Sequence, residues 1–117
     1  MPSINLKVIA DLRSLQSPSS PGFLAELIDL FLKEADAHME KLRASAAARD
    51  AQVFERSAHT LKGSSGNLGA QAMSRMCAEL QVAGRAADWS RAGAVLPGLE
   101  EEFRAVRIEL EAEKSRG

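Results

Sequence analysis

An all-α fold, an antiparallel up-down-up-down four-helix bundle with a short extra N-terminal helix, is what this sequence of 117 residues predicts. Three observations carry that expectation. Aromatic residues make up only 4% and tyrosine is absent, so the core must be drawn from Leu, Ala, Val, Ile and Met, a mixture that suits helices better than strands. Apolar residues recur at three- and four-residue spacing through four long segments, the pattern of one-sided helices. The connections between those segments are short, which makes neighbours in sequence antiparallel neighbours in space.

Residues 4–15 put Val8, Ile9, Leu12 and Leu15 on one stripe, a short helix expected to cover one end or flank of the bundle. Ser17-Pro18-Ser19-Ser20-Pro21-Gly22 is the one clear loop; Pro21 suits the first turn of a helix and Ser20 its N-cap. Leu24, Leu27, Ile28, Phe31, Ala35, Met39 and Leu42 keep a single stripe, so the second helix is expected to end near Ala46–Ala48. Asp50 can cap the third, which should reach about Asn67 before Gly69 ends it. The fourth helix begins near Ala70 and is expected to bury Met73, Met76, Cys77, Leu80, Gly84 and Ala87. Asp88-Trp89-Ser90 reads as a turn with Ser90 as the next cap. Val95, Leu99, Phe103, Val106 and Leu110 hold one phase across Pro97, which predicts one kinked helix rather than two. The charged stretch Glu111–Gly117 is expected to fray.

Bulk properties narrow the function. Hydrophobic residues at 45% and charged ones at 26% are ordinary for a single domain over residues 1–117, with a core at about 4–112 and a charged tail at 113–117. Net charge is −1 with no basic block, which argues against nucleic acid as a partner. The single cysteine, Cys77, cannot form an internal disulfide and fits a reducing cytoplasm. No apolar run approaches the ~20 residues of a membrane span. Charges interrupt the N-terminal stretch Met1–Leu15, so it is no signal peptide. The expectation is a cytoplasmic monomer.

Chemistry concentrates in Ala58-His59-Thr60-Leu61-Lys62-Gly63-Ser64-Ser65-Gly66-Asn67-Leu68-Gly69-Ala70. At a hundred degrees per residue, Phe54, Ser57, Ala58, Leu61, Ser65 and Leu68 fall on one side, the buried face. His59 falls opposite, among Gln52, Glu55, Arg56, Lys62, Gly63 and Gly66. A glycine in an exposed helix interior costs roughly 0.8–1 kcal/mol relative to alanine, so two beside one imidazole need a reason. Clearance supplies it: without side chains one turn beyond the ring, another protein can approach closely. Lys62 adds a positive charge for an anion held at the ring.

The run His59, Leu61, Lys62, Gly63, Ser64 and Ser65, followed by Leu68, Gly69 and Ala70, resembles the signature of histidine phosphotransfer (HPt) domains of bacterial multistep phosphorelays. The apolar spacing of the flanking segments resembles the family's too, so the likeness covers nearly the whole chain. It implies that His59 accepts a phosphoryl group on Nε2 from the phospho-aspartate of a receiver domain and passes it to another receiver aspartate. The partners implied are the receiver domains of a hybrid sensor kinase and a response regulator. A neutral imidazole, ordinary pKa about 6.5, offers a nucleophilic nitrogen near neutral pH. Phosphoryl transfer passes through a loose transition state, so a carrier mainly positions the group and stabilises its charge, the work assigned to Lys62. Gly63 is assigned to clearance. If the fourth helix packs on the third, Gln81 and Arg85 could reach the phosphoryl group or its receiver; Gly66 and Arg56 flank the same face.

Other polar residues read as structural. Ser64 and Ser65 are small enough for close helix packing while bonding to backbone. His38 lies beside the buried stripe of the second helix, and Cys77 is core. Two scattered histidines and one core cysteine make no metal site. No GxxxxGK[ST] motif is present, so the chain is expected to be a carrier and no autonomous kinase, without a cofactor of its own. Magnesium is expected only on the partner receiver. Two other readings remain open: a helical adaptor that carries no phosphate, and the phosphoacceptor domain of a chemotaxis-type kinase. The chain's own Met1 gives no sign of the larger parent that the last one needs.

Overall fold

Gly69 fixes the corner on which the bundle turns. In the computed structural model, which describes residues 2–116, its φ is +80°, the left-handed region that favours glycine. A Cβ there would meet Val8 Cβ at 3.0 Å and Asn5 O at 3.1 Å, so the position also lets the N-terminal segment close over the corner. Asn5 uses both ends of itself in doing so. Its backbone N–H donates to Gly69 O at 2.8 Å, and its Oδ1 accepts from Lys7 N at 2.9 Å, capping α1 (Leu6–Arg13). Ile9 is buried and Val8 and Leu12 are half-buried as the stripe requires, but Leu15 lies beyond the helix end and is 63% exposed.

Four longer helices follow: α2 (Phe23–Ala48), α3 (Ala51–Asn67), α4 (Gln71–Arg85) and α5 (Trp89–Ser115). They pack in a ring, α2 on α3, α3 on α4, α4 on α5 and α5 back on α2, each antiparallel to the next, which is the up-down-up-down bundle with its extra short helix. The described residues hold no strand, only an isolated bridge between Ser17 and Ser20. The core runs the length of the ring through Ile28, Phe31, Leu42, Phe54, Leu61, Met73, Leu80, Leu99, Val106 and Leu110. Edge-on aromatic pairs, Phe31–Phe103 at 6.5 Å and Phe54–Trp89 at 5.5 Å, fill the wider gaps.

Several boundaries differ from the sequence expectation. Ser20 does not cap α2: Ser17-Pro18-Ser19-Ser20 closes its own turn, with Ser20 N donating to Ser17 O at 2.9 Å. Gly22 is the N-cap, and Gln16 Oε1 accepts from Leu24 N at 3.2 Å in place of a serine hydroxyl. Asp50 caps α3 as expected, its Oδ1 accepting from Val53 N at 3.2 Å. At the start of α5 the cap is Asp88, not Ser90: Asp88 Oδ1 accepts from Arg91 N at 3.1 Å, and Trp89, already the first helical residue, meets Phe54 edge-on. Ala87, expected in the buried stripe of α4, sits exposed in the intervening turn with φ 52°. Met76 and Val95 are half-buried, and Ala83 takes a core place.

Pro97 lies on the exposed side of α5 and the helix continues through it, so one helix forms, not two. The charged tail holds more order than its composition predicts. Helix α5 runs to Ser115, and Glu113 is buried at 8% exposure because Arg13 of α1 reaches it, Nη2 donating to Glu113 O at 3.1 Å and Oε1 at 3.3 Å.

Candidate functional site

The outer face of α3 is set by its inner one. Phe54, Ser57, Ala58, Leu61, Ser65 and Leu68 are all buried, as the periodicity requires, and this phase turns His59 outward to solvent. Ser65 Oγ donates to Leu61 O at 2.6 Å and Ser64 Oγ to Leu61 O at 3.3 Å, so both hydroxyls are satisfied within the helix.

Helix α4 supplies the second wall. Gly84 makes the approach close: a Cβ there would lie 2.8 Å from Phe54 Cδ1 and 3.2 Å from the Glu55 backbone nitrogen. Ser74 Oγ donates to Lys62 O at 2.9 Å, a side-chain tie from α4 to the backbone of α3. Between these two contacts Gln81 reaches the imidazole, its Nε2 lying 3.1 Å from His59 Nδ1. Nε2 of the ring is the nitrogen away from this contact. One turn along, Arg85 brings Nη2 to 2.9 Å from Glu55 Oε1. Gln52, Glu55, Arg56, His59 and Gln81 line one shallow, open depression.

The sequence-predicted residues gather here unevenly. Lys62 is half-buried on the His59 side of α3 and forms no ion pair among the described residues. Gly63 is exposed, and a Cβ at its position would find nothing within 4 Å, which is open space beside the ring. Gly66 is exposed too, but a Cβ there would meet Ser74 Oγ at 3.5 Å, so it faces α4 as well as solvent. Arg56 is exposed at the rim. Gln81 touches the ring, whereas Arg85 is held by Glu55.

Two residues were not given a role from sequence. Glu55 stands four residues before His59, and its ion pair crosses to the next helix, which only the register of α3 against α4 can fix. Gly84 read simply as a core position; its contact with the Glu55 backbone is what brings the walls together.

The remaining reactive groups stand apart. His38 is half-buried on α2 with Nδ1 unpartnered, and burial, then the nearby Lys41 charge, lower its pKa from 6.5 against a smaller opposing effect of Glu34. Burial pushes the Cys77 thiol up to about 12, so it stays protonated and inert. Among the described residues no group of three or more His, Cys, Asp or Glu could hold a metal ion, and no helix is long and apolar enough to cross a membrane.

A family model described as the Hpt domain matches residues 26–113, which takes in α3, α4 and every residue of the depression. The chain belongs to the Hpt domain family. Its fold agrees over nearly the full length with the crystal structure of histidine-containing phosphotransfer protein B (HptB) from Pseudomonas aeruginosa PAO1. The TM-score is 0.88 at 32% identity, covering 99% of this Hpt domain and 97% of that chain. Among curated proteins, Histidine-containing phosphotransfer protein 2 of Arabidopsis thaliana is 25% identical over 104 residues, 86% of this chain and 67% of that one. An Hpt domain is a phosphotransfer intermediary of phosphorelays, a carrier rather than an enzyme in the usual sense.

Proposed function

We propose that His59 Nε2 accepts a phosphoryl group from the aspartyl phosphate of one receiver domain and returns it to the aspartate of another. The Nε2 lone pair attacks phosphorus; the P–O bond to the donor aspartate breaks, and its electron pair stays on the donor carboxylate. The ring keeps its proton on Nδ1 and becomes a phosphorylated imidazolium. The reverse step, on a second carboxylate, regenerates the neutral ring.

The observation that carries this reading is the contact between Gln81 and the inner nitrogen of an exposed imidazole. An imidazole nitrogen attacks only when the other nitrogen holds the proton. A carboxamide 3.1 Å from Nδ1 serves both states by turning over. With its nitrogen toward the ring it donates to Nδ1; with its oxygen there it accepts Nδ1–H and leaves the Nε2 lone pair free. Gln81 is therefore a positioning residue for the nucleophile.

Lys62 supplies charge for the three equatorial oxygens of the loose transition state, and Gly63 leaves room for the receiver's loops. Gly66 and Arg56 belong to the docking rim. The partners are the receiver domains of a hybrid sensor kinase and a response regulator, magnesium coming on the receiver, and the carrier acts as a cytoplasmic monomer without a cofactor of its own. The test is to mix the chain with receiver domains charged by labelled acetyl phosphate. Label should reach the parent in an acid-labile, alkali-stable form and never reach His59→Gln. Label persisting on His38 or a serine of that variant would sink the assignment.

A further inference from the structure

Glu55 lines the same depression as the His59 imidazole and stands one helical turn before it on α3. Its carboxylate therefore flanks the place where a dianionic phosphoryl group rests on Nε2. Like charges in one depression repel, more strongly beside a protein surface than in bulk water. An acceptor with a carboxylate in its own depression needs that charge answered, and Arg85 answers it.

The guanidinium enters from α4 one turn beyond Gln81, with Nε 3.0 Å and Nη2 2.9 Å from Glu55 Oε1. Both nitrogens fork around a single oxygen, short of the two-oxygen geometry that makes such pairs strong. The arginine side chain is 67% exposed and the glutamate 33%, so the pair contributes little as a tie between helices. A planar guanidinium fits phosphoryl oxygens as well as it fits a carboxylate.

On the phosphocarrier reading, we infer that Glu55 competes with the phosphoryl group for Arg85. The carboxylate holds the guanidinium at the edge of the site while His59 is bare. Once Nε2 is loaded, the phosphoryl oxygens draw Arg85 off, and Glu55 is left uncompensated beside them. Glu55 thereby limits how tightly the carrier holds its cargo and favours release to the next aspartate. Arg85 is the shared cation, and Glu55 is the residue that sets the phosphoryl affinity of the site.

The test uses the 15N-labelled chain loaded with phosphoramidate, whose P–N bond breaks with loss of ammonia. The Arg85 Nε–H resonance is followed before and after loading. The partition of phosphoryl between the chain and an acetyl phosphate-charged receiver domain is then measured for the parent, Glu55→Gln, Arg85→Ala and the double variant. We expect the Arg85 resonance to move on loading. We expect Glu55→Gln to shift the partition toward phosphohistidine by about two- to fivefold, the range an exposed charge pair supplies, and Arg85→Ala to shift it the other way by a like amount. The double variant should lie near the parent. Arg91→Ala, which removes a 2.7 Å pair with Glu79 outside the depression, should change nothing. A stationary Arg85 resonance, or a partition that Glu55→Gln leaves at the parent value, overturns the inference while transfer to His59 still proceeds. If no label ever reaches His59 from the receiver, the phosphocarrier reading fails and takes the inference with it.

Discussion

Gln81 Nε2 stands 3.1 Å from His59 Nδ1, one side chain from each of two helices meeting behind the exposed nitrogen of the ring. Gln81→Ala removes the carboxamide whose oxygen, once turned toward the ring, accepts a hydrogen bond from Nδ1–H. Transfer should slow by roughly two- to tenfold, what one hydrogen bond of about 0.5–1.5 kcal/mol supplies. Gln81→Glu, which at neutral pH can only accept, should keep the Nδ1–H tautomer. The 15N shifts of the His59 ring separate the two variants without any transfer assay. Identical ring spectra in parent and Gln81→Ala would mean that the contact does not set the tautomer.

Lys62 carries charge beside the ring without an ion-pair partner among the described residues. Lys62→Ala should shorten the life of the phosphohistidine or slow its formation more than it weakens receiver binding, because the charge matters where three phosphoryl oxygens gather. Calorimetric binding and single-turnover transfer on one preparation decide it. Lost affinity with a normal rate at saturation would make Lys62 a docking residue.

At Gly63 a side chain meets no neighbour within 4 Å, so substitution should not harm the fold. Gly63→Ala should raise stability by up to about 0.8–1 kcal/mol, and Gly63→Gln should melt no lower than the parent. Transfer should fall in the order glycine, alanine, glutamine as the receiver's path fills, since small misplacements of reacting atoms are costly. Full-speed transfer by the glutamine variant would remove the clearance role.

The opposite holds at Gly84, where a Cβ would sit 2.8 Å from the buried Phe54 ring. Gly84→Ala must move α4 off α3 and should cost about 1–3 kcal/mol of stability, the range for overpacking. The wedge lies one turn from Gln81, so the 15N shifts of the His59 ring should change in the same direction as in Gln81→Ala. A melt unchanged from the parent would show that the helices adjust without strain.

His38 gives the protein a pH dependence unrelated to its chemistry. Burial lowers the folded-state pKa below 6.5, so the unfolded chain binds the proton more readily. The stability that neutral His38 contributes is complete above the unfolded value near 6.5 and is lost as pH falls through the folded one. His38→Gln should flatten the difference between urea melts at about pH 7.5 and about pH 5.5. An equally steep difference in the variant would move the effect to other groups.

The periodic parts of this fold were legible in the sequence because burial alone dictates them. The phase of α3 followed from six apolar or small residues, and with it the exposure of His59 and Gly63. The caps at Ser20 and Ser90 were misread for a physical reason. Each lies within three residues of a rival, and side-chain contacts that periodicity does not encode go with the other choice, Gln16 reaching Leu24 N and Trp89 meeting Phe54 edge-on. The same limit applies at the site. Gln81 and Arg85 were visible as polar residues on the right helix edge, but the choice of partner, His59 for one and Glu55 for the other, depends on how far α4 slides along α3. Glu113 shows it at the tail, where a half-buried bond to Arg13 holds a segment that composition alone would leave loose.

The tie between the N-terminal segment and the last helix has a consequence for tethering. Ser3 N donates to both carboxylate oxygens of Glu109 at 2.8 Å and Asn5 N to Gly69 O at 2.8 Å, so chain entry lies at the pole where α3 ends. His59 lies eight residues back from the end of α3 at that pole, about 12 Å along the axis at 1.5 Å per residue. A flexible linker of ten residues has a root-mean-square reach of about 17 Å. A receiver joined to the N-terminal segment, which Asn5 ties to Gly69 at the end of α3, could through so short a leash sample the His59 flank, and its effective concentration there would rise into the millimolar range without any new contact.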